Sequence, residues 1–411
     1  MSDTKPLHEV HENLVPMGCQ VSSKGRHRYC RGFGPRFISK AEGCRVWDDQ
    51  GRQYIDWTMG LGAITIGHQP IHYPNVAFPL PSYEEVMLAE LVEEWVPCAE
   101  MVRFMKNGSD ATSACVRLAR AYTGRDVILR CGYHGWHDWA LNADYASKKG
   151  VPQAVRDLTI SVKYNEPAAL EKAIQDFKPA CFILEAVSLE APRGDYLSLV
   201  RDICTRHGVI LIFDEIITGF RIAPGGAQEY YGVFPDLCAM GKAMGNGAPI
   251  SLVAGKREIM MAWLDTHLSG THFGEVGAIQ AAIDNLTYMK EHLFWDHQKE
   301  IGKALIWAYQ ASVEQHGLVG LTKIQGLPHF TNIKWEDGFE SEQTLWQQEM
   351  LRRGVLVASG QFVCLDHTQK EVAQTAKAYD EALGIVAEAR KKGDVEKRLE
   401  CEVNTTTFRR H

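Results

Sequence analysis

The middle of the chain alternates apolar, β-branched segments with amphipathic ones, and this alternation restricts the fold more than any other feature. The pattern predicts strands at residues 126–130, 180–187, 209–216 and 251–255, and helices at 110–122, 168–177 and 196–207. Strands separated by helices pair in parallel, because the crossover helices then cover both faces of the sheet. The segment therefore predicts an α/β fold with a mainly parallel sheet.

The two ends of the chain have a different pattern. Residues 36–57 predict two short strands around a turn at 49–51. After residue 295, long amphipathic helices flank short strands, with helices predicted at 296–316, 341–353 and 369–392 and strands near 329–335 and 355–359. A chain of 411 residues is long enough for two domains. We expect a large domain at 58–295 and a smaller α+β domain that combines 1–57 with 296–411.

Composition and charge exclude several classes of protein. The net charge is −7, and no long basic segment offers a surface for nucleic acid. No apolar run is long enough to span a bilayer, and residues 1–16 lack the apolar segment of a signal peptide. The 11 cysteines are odd in number and scattered, as reduced thiols would be. We expect a cytoplasmic protein that binds neither nucleic acid nor membrane.

A lysine among small residues is the first candidate for chemistry. Lys242 lies between Gly241 and Ala243, and Asp214 lies upstream near the end of a predicted strand. A lysine that forms a Schiff base and an aspartate that keeps a pyridine ring protonated are what a pyridoxal phosphate enzyme most needs. Each residue also has a simpler interpretation when taken alone: Lys242 as a solvated surface charge, Asp214 as part of a helix cap or loop.

A second candidate site surrounds the start of the helix predicted at 110–122. Gly108, Ser109 and Asp110 lead directly into this helix. The free backbone N–H groups and the dipole at a helix N-terminus bind anions, so these three residues are candidates to hold a phosphate. A helix cap formed by Ser109 or Asp110 explains the same residues equally well.

The segment GYHGWHDW (132–139) follows a predicted strand and should lie at the same edge of the sheet as Asp214. Its Tyr133 is the candidate aromatic residue for stacking on a planar ring, and His134 is a candidate substrate contact. His134 and His137 also suggest a metal pair. No third ligand follows at a suitable spacing, so we expect no metal.

Taken in order, these motifs resemble the class III (ω) aminotransferases, which are fold-type I pyridoxal phosphate enzymes, and in particular the branch of glutamate-1-semialdehyde 2,1-aminomutase. The resemblance extends through nearly the whole chain and rests on AEGCRVWDDQGRQYIDW, GLGAITIGH, MVRFMKNGSDATSACVRLARAYTGRD, GYHGWHDW, LIFDEIITGFR, MGKAMGNGAPISLVAG and THFGEVGAIQAA. It implies a large cofactor-binding domain with a mainly parallel sheet. It also implies an enzyme that moves an amino group between an amine donor and a carbonyl substrate.

The resemblance implies roles for individual residues around a pyridoxal 5'-phosphate cofactor. Lys242 would carry the cofactor as a Schiff base and transfer protons, and Asp214 would pair with the protonated ring nitrogen. Ile216 would pack on the ring face opposite Tyr133.

The phosphate contacts that the resemblance implies come from two subunits. Gly108, Ser109 and Asp110 match the family's phosphate loop, and Thr271 matches a threonine that reaches the phosphate of the neighbouring subunit. A homodimer with a shared active site is therefore implied. For Thr271, a cap of the following helix is a simpler interpretation that is compatible with phosphate binding.

Several departures from the family pattern bear on the substrate. The motif that usually reads Glu-Pro-Val is Glu185-Ala186-Val187, and the segment 67–82 is shorter than usual, so substrate access is expected to differ. Glu190 is placed where ω-aminotransferases have a gating glutamate, although an exposed loop carboxylate is the simpler interpretation. Arg221 is either a carboxylate clamp or a structural residue.

The identity of the reaction stays open at this level. The variants GYHGWHDW and THFGE resemble sequences of amino-sugar and surface-polysaccharide pathways more than the aminomutase, which has Gly-Asn-Pro after its threonine region. Sugars and small-metabolite aldehydes or ketones are the candidate carbonyl substrates of an aminotransferase. The alternatives are an intramolecular aminomutase, a racemase, and a protein that retains the fold without catalysis.

Overall fold

The computed structural model describes residues 28–69, 77–142, 149–187, 190–358 and 360–404. Its strands are β1 (Ile38–Glu42), β2 (Arg45–Asp48), β3 (Gln53–Asp56), β4 (Met101–Met105), β5 (Ile128–Cys131), β6 (Thr159–Ser161), β7 (Cys181–Leu184), β8 (Ile210–Glu215), β9 (Leu237–Met240), β10 (Ser251–Gly255), β11 (Thr322–Leu327), β12 (Phe330–Trp335), β13 (Val355–Leu356) and β14 (Gly360–Phe362). The longer helices are α1 (Tyr83–Trp95), α2 (Gly108–Thr123), α3 (Pro167–Phe177), α4 (Tyr196–His207), α5 (Gly226–Tyr231), α6 (Val276–Glu291), α7 (Phe294–Gln315), α8 (Glu340–Arg352) and α9 (Gln369–Lys392). Single helical turns lie at Met59–Gly62, Asp138–Ala140, Gln153–Arg156, Lys242–Gly245, Arg257–Met260, Met261–Asp265 and Glu396–Arg398.

The chain forms two compact units, and the larger contains the described residues from 77 to 295. Its seven-stranded sheet has the order β4-β10-β9-β8-β7-β5-β6. Strand β10 runs antiparallel to both of its neighbours, whereas β9, β8, β7, β5 and β6 pair in parallel. The prediction of an α/β fold with a mainly parallel sheet is confirmed.

The central strands of this sheet are buried on both faces. Every residue of β5, β7 and β8 is buried, which is why these segments read as continuous apolar runs instead of alternating ones. Helix α4 ends at His207, as the sequence predicts, because Gly208 has a φ of 58° and caps the helix in the left-handed conformation.

The smaller unit contains the described residues from 28 to 69 and from 296 to 404. One sheet has the order β1-β2-β3-β13, in which β2 and β3 form the predicted hairpin and β13 pairs in parallel with β3. A second, antiparallel sheet has the order β11-β12-β14. Its core includes the large buried side chains of Trp57, Tyr309, Trp346 and Tyr379. Both ends of the chain thus form a smaller α+β unit.

The N-terminal part of the smaller unit extends to residue 69, beyond the limit of 57 that the sequence suggests. Residues 58–69 belong there because they pair with the C-terminal part of the chain. The N–H of Leu365 donates to the carbonyl of Thr65 at 2.8 Å. A Cβ on Gly62 would lie 2.7 Å from the ring of Phe362, so only a glycine allows this approach.

In the described ranges, no helix is both long enough and apolar enough to cross a membrane. The cysteines in these ranges carry free thiols, and all of them except Cys401 are buried. Within the same ranges, no three or more histidine, cysteine, aspartate or glutamate side chains are grouped so that they could hold a metal ion.

His367 is a buried histidine at the centre of the smaller unit. The N–H of Cys364 donates to its Nδ1 at 3.0 Å, so the ring proton lies on Nε2, which donates to the carbonyl of Asp56 at 3.1 Å. The ring stacks on Trp57 with 3.8 Å between centroids. Burial lowers the pKa of His367 to about 3. A proton on Nδ1 would face the N–H of Cys364, so this site favours the neutral ring.

We predict that His367 makes the protein sensitive to acid. The unfolded state binds a proton at this residue below about pH 6.5, whereas the folded state does so only near pH 3, so the free energy of unfolding falls as the pH decreases through this window. The slope from one such group reaches about 1.4 kcal/mol per pH unit. His367→Phe should be less stable at pH 7, because the Cys364 N–H loses its acceptor, but should lose less stability between pH 6.5 and pH 4.

Chemical unfolding followed by circular dichroism at several pH values tests this prediction. The matched control is His316→Phe, which removes a partly exposed histidine that lies 2.7 Å from Asp380 in the same unit. Equal pH slopes for the unchanged protein and His367→Phe would contradict the assignment.

Candidate active site

The predicted site residues of the larger unit meet at the carboxyl ends of three strands. Asp214 is the last but one residue of β8, Tyr133 and His134 follow β5, and Lys242 follows β9. The sheet order places β5, β7, β8 and β9 side by side. The carboxyl edge of a parallel sheet is where ligands bind in folds of this type.

Asp214 is held by a buried histidine. The Oδ2 of Asp214 lies 2.7 Å from Nδ1 of His134, and its Oδ1 accepts from the N–H of Ile216 at 3.2 Å. Both side chains are almost completely buried. The Nε2 of His134 has no hydrogen-bond partner among the described residues. A proton on Nδ1 therefore serves the carboxylate and leaves only a lone pair without a partner.

This geometry favours a role for His134 that differs from the substrate contact that the sequence suggests. Its ring is buried and lies nearly parallel to the ring of Trp139, with 6.3 Å between centroids. Its Nδ1 faces Asp214. Its carbonyl accepts from Oγ1 of Thr112 at 2.8 Å, which anchors it to helix α2. The contacts favour a histidine that orients the Asp214 carboxylate and acts on a substrate only through it.

The N-cap residue of helix α2 is Asn107, and Asp110 completes a capping box with it. The Oδ2 of Asp110 accepts from the backbone N–H of Asn107 at 2.9 Å and from the Asn107 side chain at 3.2 Å. The N–H of Asp110 donates to the Asn107 carbonyl at 3.1 Å. The groups of Asp110 are thus engaged within the turn. Of the three predicted phosphate residues, the contacts favour Gly108 and Ser109 as ligands and Asp110 as the residue that shapes the turn.

Two glycines allow backbone segments to approach each other at this turn. A Cβ on Gly108 would lie 3.1 Å from three carbon atoms of Ile216. Gly135 has a φ of 97°, and a Cβ there would lie 2.3 Å from Oγ of Ser109. Residue 135 therefore has to be glycine, and a side chain at residue 108 would require Ile216 to move. The start of α2 is packed closely against Ile216 and the GYHGWHDW segment.

Lys242 begins the helical turn Lys242–Gly245 with a φ of 42°. A left-handed conformation costs a residue other than glycine about 1 kcal/mol or more and is common at functional sites. Helix α6 supports the turn, because Nδ2 of Asn285 donates to the carbonyls of Ala243 and Met244 at 2.8 and 3.0 Å. A Cβ on the preceding Gly241 would lie 3.5 Å from Cδ1 of Ile216. Ile216 thus lies close to both the start of α2 and the turn of Lys242.

Tyr133 and Thr271 have very different surroundings. The N–H of Tyr133 donates to Oε2 of Glu185 at 3.0 Å, which holds the backbone of the GYHGWHDW segment to the end of β7. Thr271 is exposed in the turn that precedes helix α6. Its exposure is compatible with a contact to another subunit, and the helix cap is supplied instead by Glu275, which accepts from the N–H groups of Gly277 and Ala278.

Glu190 and Arg221 differ in burial. The Oε2 of Glu190 pairs with Arg193 at 3.0 Å, and its Oε1 lies 3.4 Å from Nδ2 of Asn165. These contacts favour the interpretation of Glu190 as a surface loop carboxylate. Arg221 is completely buried, which favours a structural role.

The sequence interpretation misses Glu215, the residue directly after Asp214. Glu215 is fully buried, and burial raises its pKa to about 7. It accepts from Oγ1 of Thr218 and Nε2 of Gln228, both at 3.0 Å, and from the N–H of Ala227. These bonds fix the chain that follows β8. The acidic pair at the end of an apolar strand was the available signal.

The α/β fold and this site together define a fold-type I pyridoxal phosphate enzyme. The model of the class III aminotransferase family matches residues 30–364. The chain therefore belongs to the class III aminotransferases.

Curated relatives include enzymes of two kinds. The glutamate-1-semialdehyde 2,1-aminomutase of Methanobrevibacter smithii is 32% identical over 93% of this chain and 98% of its own length. The 3-aminobutyryl-CoA aminotransferase of Cloacimonas acidaminovorans is 32% identical over 92% and 96%. The chain thus spans nearly the whole length of both relatives.

Solved structures share the fold. FumI of Sphingopyxis sp. MTA144, in its pyridoxal phosphate internal aldimine form, matches with a TM-score of 0.86 and 27% identity over 93% of this chain and 96% of its own. The glutamate-1-semialdehyde aminomutase of Pseudomonas aeruginosa PAO1 matches with a TM-score of 0.78 at 19% identity, over 92% and 93% of the two chains. The second match supports the fold alone.

The protein is therefore an enzyme that uses pyridoxal phosphate and acts on small amine and carbonyl substrates, and its site residues fit this cofactor. Asp214 offers a buried, oriented carboxylate for a protonated ring nitrogen. The close approaches at Gly108 and Gly135 leave backbone, without side chains, at the helix N-terminus where a phosphate binds. Lys242 follows the strand next to that of Asp214.

Proposed function

We propose that this enzyme is an aminotransferase, in which Lys242 and Asp214 are the catalytic residues. The observation that carries the proposal is the buried Asp214–His134 pair at the end of β8, with Lys242 after the neighbouring strand β9. Ile216 lies close to both Gly108 and Gly241. The amino group passes from an amine donor to a carbonyl compound. Sugars and small-metabolite aldehydes or ketones are the candidate acceptors.

Each residue has a distinct task in this proposal. The bound cofactor supplies an electron-accepting ring that carries the amino group between the two substrates. The carboxylate of Asp214, oriented by His134, keeps positive charge on the ring nitrogen. The Nζ of Lys242 takes the proton from the substrate carbon that bears the amine, and the small neighbouring residues leave room for this approach. Tyr133 and Ile216 hold the two faces of the ring.

The phosphate is held by backbone groups in this proposal. Gly108 and Ser109 donate their N–H groups at the N-terminus of α2, where the helix dipole favours an anion. Asp110 shapes the turn through Asn107. Ser251 keeps the turn on the sheet, since its Oγ donates to the Asn107 carbonyl at 2.8 Å.

An intramolecular aminomutase reaction is the second candidate, and the similarity to glutamate-1-semialdehyde 2,1-aminomutase favours it. An aminotransferase is equally similar, at 32% identity, so identity alone does not separate the two reactions. One observation favours transamination. The segment after Thr271 reads Gly274-Glu275-Val276 in place of the Gly-Asn-Pro of the aminomutase. Both reactions require the same Lys242 and Asp214, and a racemase would also use them.

Release of a keto product distinguishes these reactions. The enzyme loaded with pyridoxal phosphate is mixed with one amine donor at a time, without an acceptor. We expect an accepted donor to abolish the visible absorbance of the lysine-bound cofactor and to release one equivalent of keto product, measured by mass spectrometry. Glutamate-1-semialdehyde is the matched comparison. Its isomerisation, with no donor releasing a keto product, would instead establish the aminomutase.

We also propose that the enzyme is a homodimer to which each chain contributes Thr271 for the partner's phosphate. Helix α1 and the segment before it carry large apolar residues that are each more than half exposed. They are Phe78, Leu80, Tyr83, Val86 and Met87. Several exposed large apolar side chains within ten residues are typical of an interface. The turn of Thr271 lies beside it, since a Cβ on Gly274 would come 2.7 Å from Oε1 of Glu85.

A further inference from the structure

Helix α6 is connected to three parts of the proposed site. The turn with Thr271 leads directly into its N-terminus, where Glu275 is the capping residue. Asn285, farther along the helix, holds the carbonyls of Ala243 and Met244 in the turn of Lys242. An ion pair from Glu275 to Lys106 connects the same helix to the segment that carries Gly108 and Ser109.

The Lys106–Glu275 ion pair has good geometry and is largely withdrawn from solvent. The Nζ of Lys106 lies 2.9 Å from Oε2 of Glu275, and the side chains are 16% and 12% exposed. The same Oε2 accepts from the N–H of Ala278 at 3.1 Å, while Oε1 accepts from Gly277 at 2.5 Å. Lys106 directly precedes Asn107, whose backbone begins the phosphate turn. The pair therefore bridges the two segments that supply the proposed phosphate ligands.

The charge on Glu275 is maintained in this position. Burial raises the pKa of the carboxyl, but Lys106 and the two backbone N–H groups outweigh burial and hold the pKa below its usual value. Another ion pair that involves helix α6 is much more exposed to solvent. Lys290 and Glu94 are 3.7 Å apart, and more than half of each side chain is exposed. Exposed pairs of this kind contribute little, whereas breaking a buried pair leaves a charge without compensation.

We propose that Lys106 and Glu275 are positioning residues, which fix the turn of Thr271 relative to the phosphate turn of the same chain. The inference rests on the proposed dimer. Because Thr271 serves the partner's phosphate, the pair in one chain controls how firmly the other chain retains its cofactor. The two sites of the dimer are coupled through helix α6 in this way.

Lys106→Met and Glu275→Gln test the positioning role in the homodimer. Both should release pyridoxal phosphate about tenfold faster, measured as loss of the visible absorbance during dilution into an apo-protein acceptor. Whether the two variants change the release rate in the same direction separates positioning from a direct effect of charge. If the pair acted only through its charge on the phosphate, removing a positive and a negative charge would have opposite effects. Lys106→Arg should restore slow release, and the control Lys290→Met should stay within about twofold of the unchanged enzyme.

Mixed dimers with two affinity tags show in which subunit the pair acts. In the first dimer, one chain carries Lys242→Ala with Glu275→Gln and the other chain is unchanged. In the second, one chain carries only Lys242→Ala and the other carries Glu275→Gln. Each dimer has a single lysine-bound cofactor, so the visible absorbance reports on one site. We expect faster release only in the first, where the site receives its Thr271 from the chain with the altered Glu275.

The outcomes separate this inference from the proposed function. Faster release in the second dimer, or equal release in both, would overturn the action across subunits while leaving the aminotransferase intact. Opposite effects of Lys106→Met and Glu275→Gln on the release rate would mean that the two residues act through their charges and not by positioning the turn. A monomer in sedimentation would remove the proposed dimer and this inference together.

Discussion

Lys242→Ala should abolish the visible absorbance of the bound cofactor and lower turnover about ten thousandfold. The cofactor would lose its covalent attachment, and the substrate carbon would lose the amine that takes its proton. The left-handed backbone of Lys242 and the hydrogen bonds from Asn285 to its turn define the position of this side chain. Absorbance spectra after reconstitution with pyridoxal phosphate, together with rates of keto-product formation, measure both effects.

The matched control for this variant is Lys256→Ala. Lys256 lies directly after β10 in the same unit, and its Nζ pairs with Asp236 at 2.7 Å with the side chain nearly half exposed. This change should leave the spectrum and the turnover close to those of the unchanged enzyme, because Lys256 is nearly half exposed and Asp236 keeps its ion pair with Arg201. A Lys242→Ala enzyme that kept the visible absorbance would show that another amine carries the cofactor.

The large sheet was predictable because its strands carry a strong signal. Strands β7 and β8 are buried along their whole length, so the sequence shows uninterrupted apolar runs there. Strand β10 and helices α4 and α9 have the predicted bounds. For α4 and α9, a glycine in the left-handed conformation, Gly208 or Gly393, marks the end of the helix.

Other elements could not be predicted from local patterns. Strand β9 has four residues, too few to show a period, and is followed at once by Gly241 and Lys242. Strand β4 carries Arg103 and is only partly buried, so its apolar pattern is weak. Residues 58–69 join the smaller unit through the hydrogen bond from Leu365 to Thr65 and the close approach of Gly62 to Phe362. These partners are roughly 300 residues away in the sequence, and no local signal specifies such contacts.

In the site, the types of the functional residues were predictable from the sequence, but the side chains they pair with were not. The strand-end aspartate, the lysine among small residues and the helix start were predictable, because each is a local pattern with a chemical meaning. The partners were not. His134 is 80 positions from Asp214, and Lys106 is 169 positions from Glu275. Tertiary packing alone brings these side chains together, so the orienting role of His134 and the ion pair became visible only in the structure.

Asp214→Asn should lower kcat about 10²- to 10³-fold while Lys242 still binds the cofactor. An asparagine has nearly the same shape but no negative charge, so it would not maintain a proton on the ring nitrogen. The visible absorbance of the lysine-bound cofactor should remain, which separates this variant from Lys242→Ala. The matched control is Asp236→Asn. Asp236 is also buried in this unit, but it pairs with Arg201 and Lys256 away from the site, and its loss should affect stability more than kcat.

His134 gives this prediction a second measurement, because its contacts favour a role in which it acts only through Asp214. His134→Phe should lower kcat less than Asp214→Asn does, since the carboxylate stays but loses the donor that lies 2.7 Å from Oδ2. In the presence of Asp214→Asn, the same change should have little further effect, because the charge it orients is already absent. Equal effects of His134→Phe with and without Asp214 would instead mean that the histidine acts on the substrate directly. Full activity of Asp214→Asn would remove the carboxylate from the catalytic machinery.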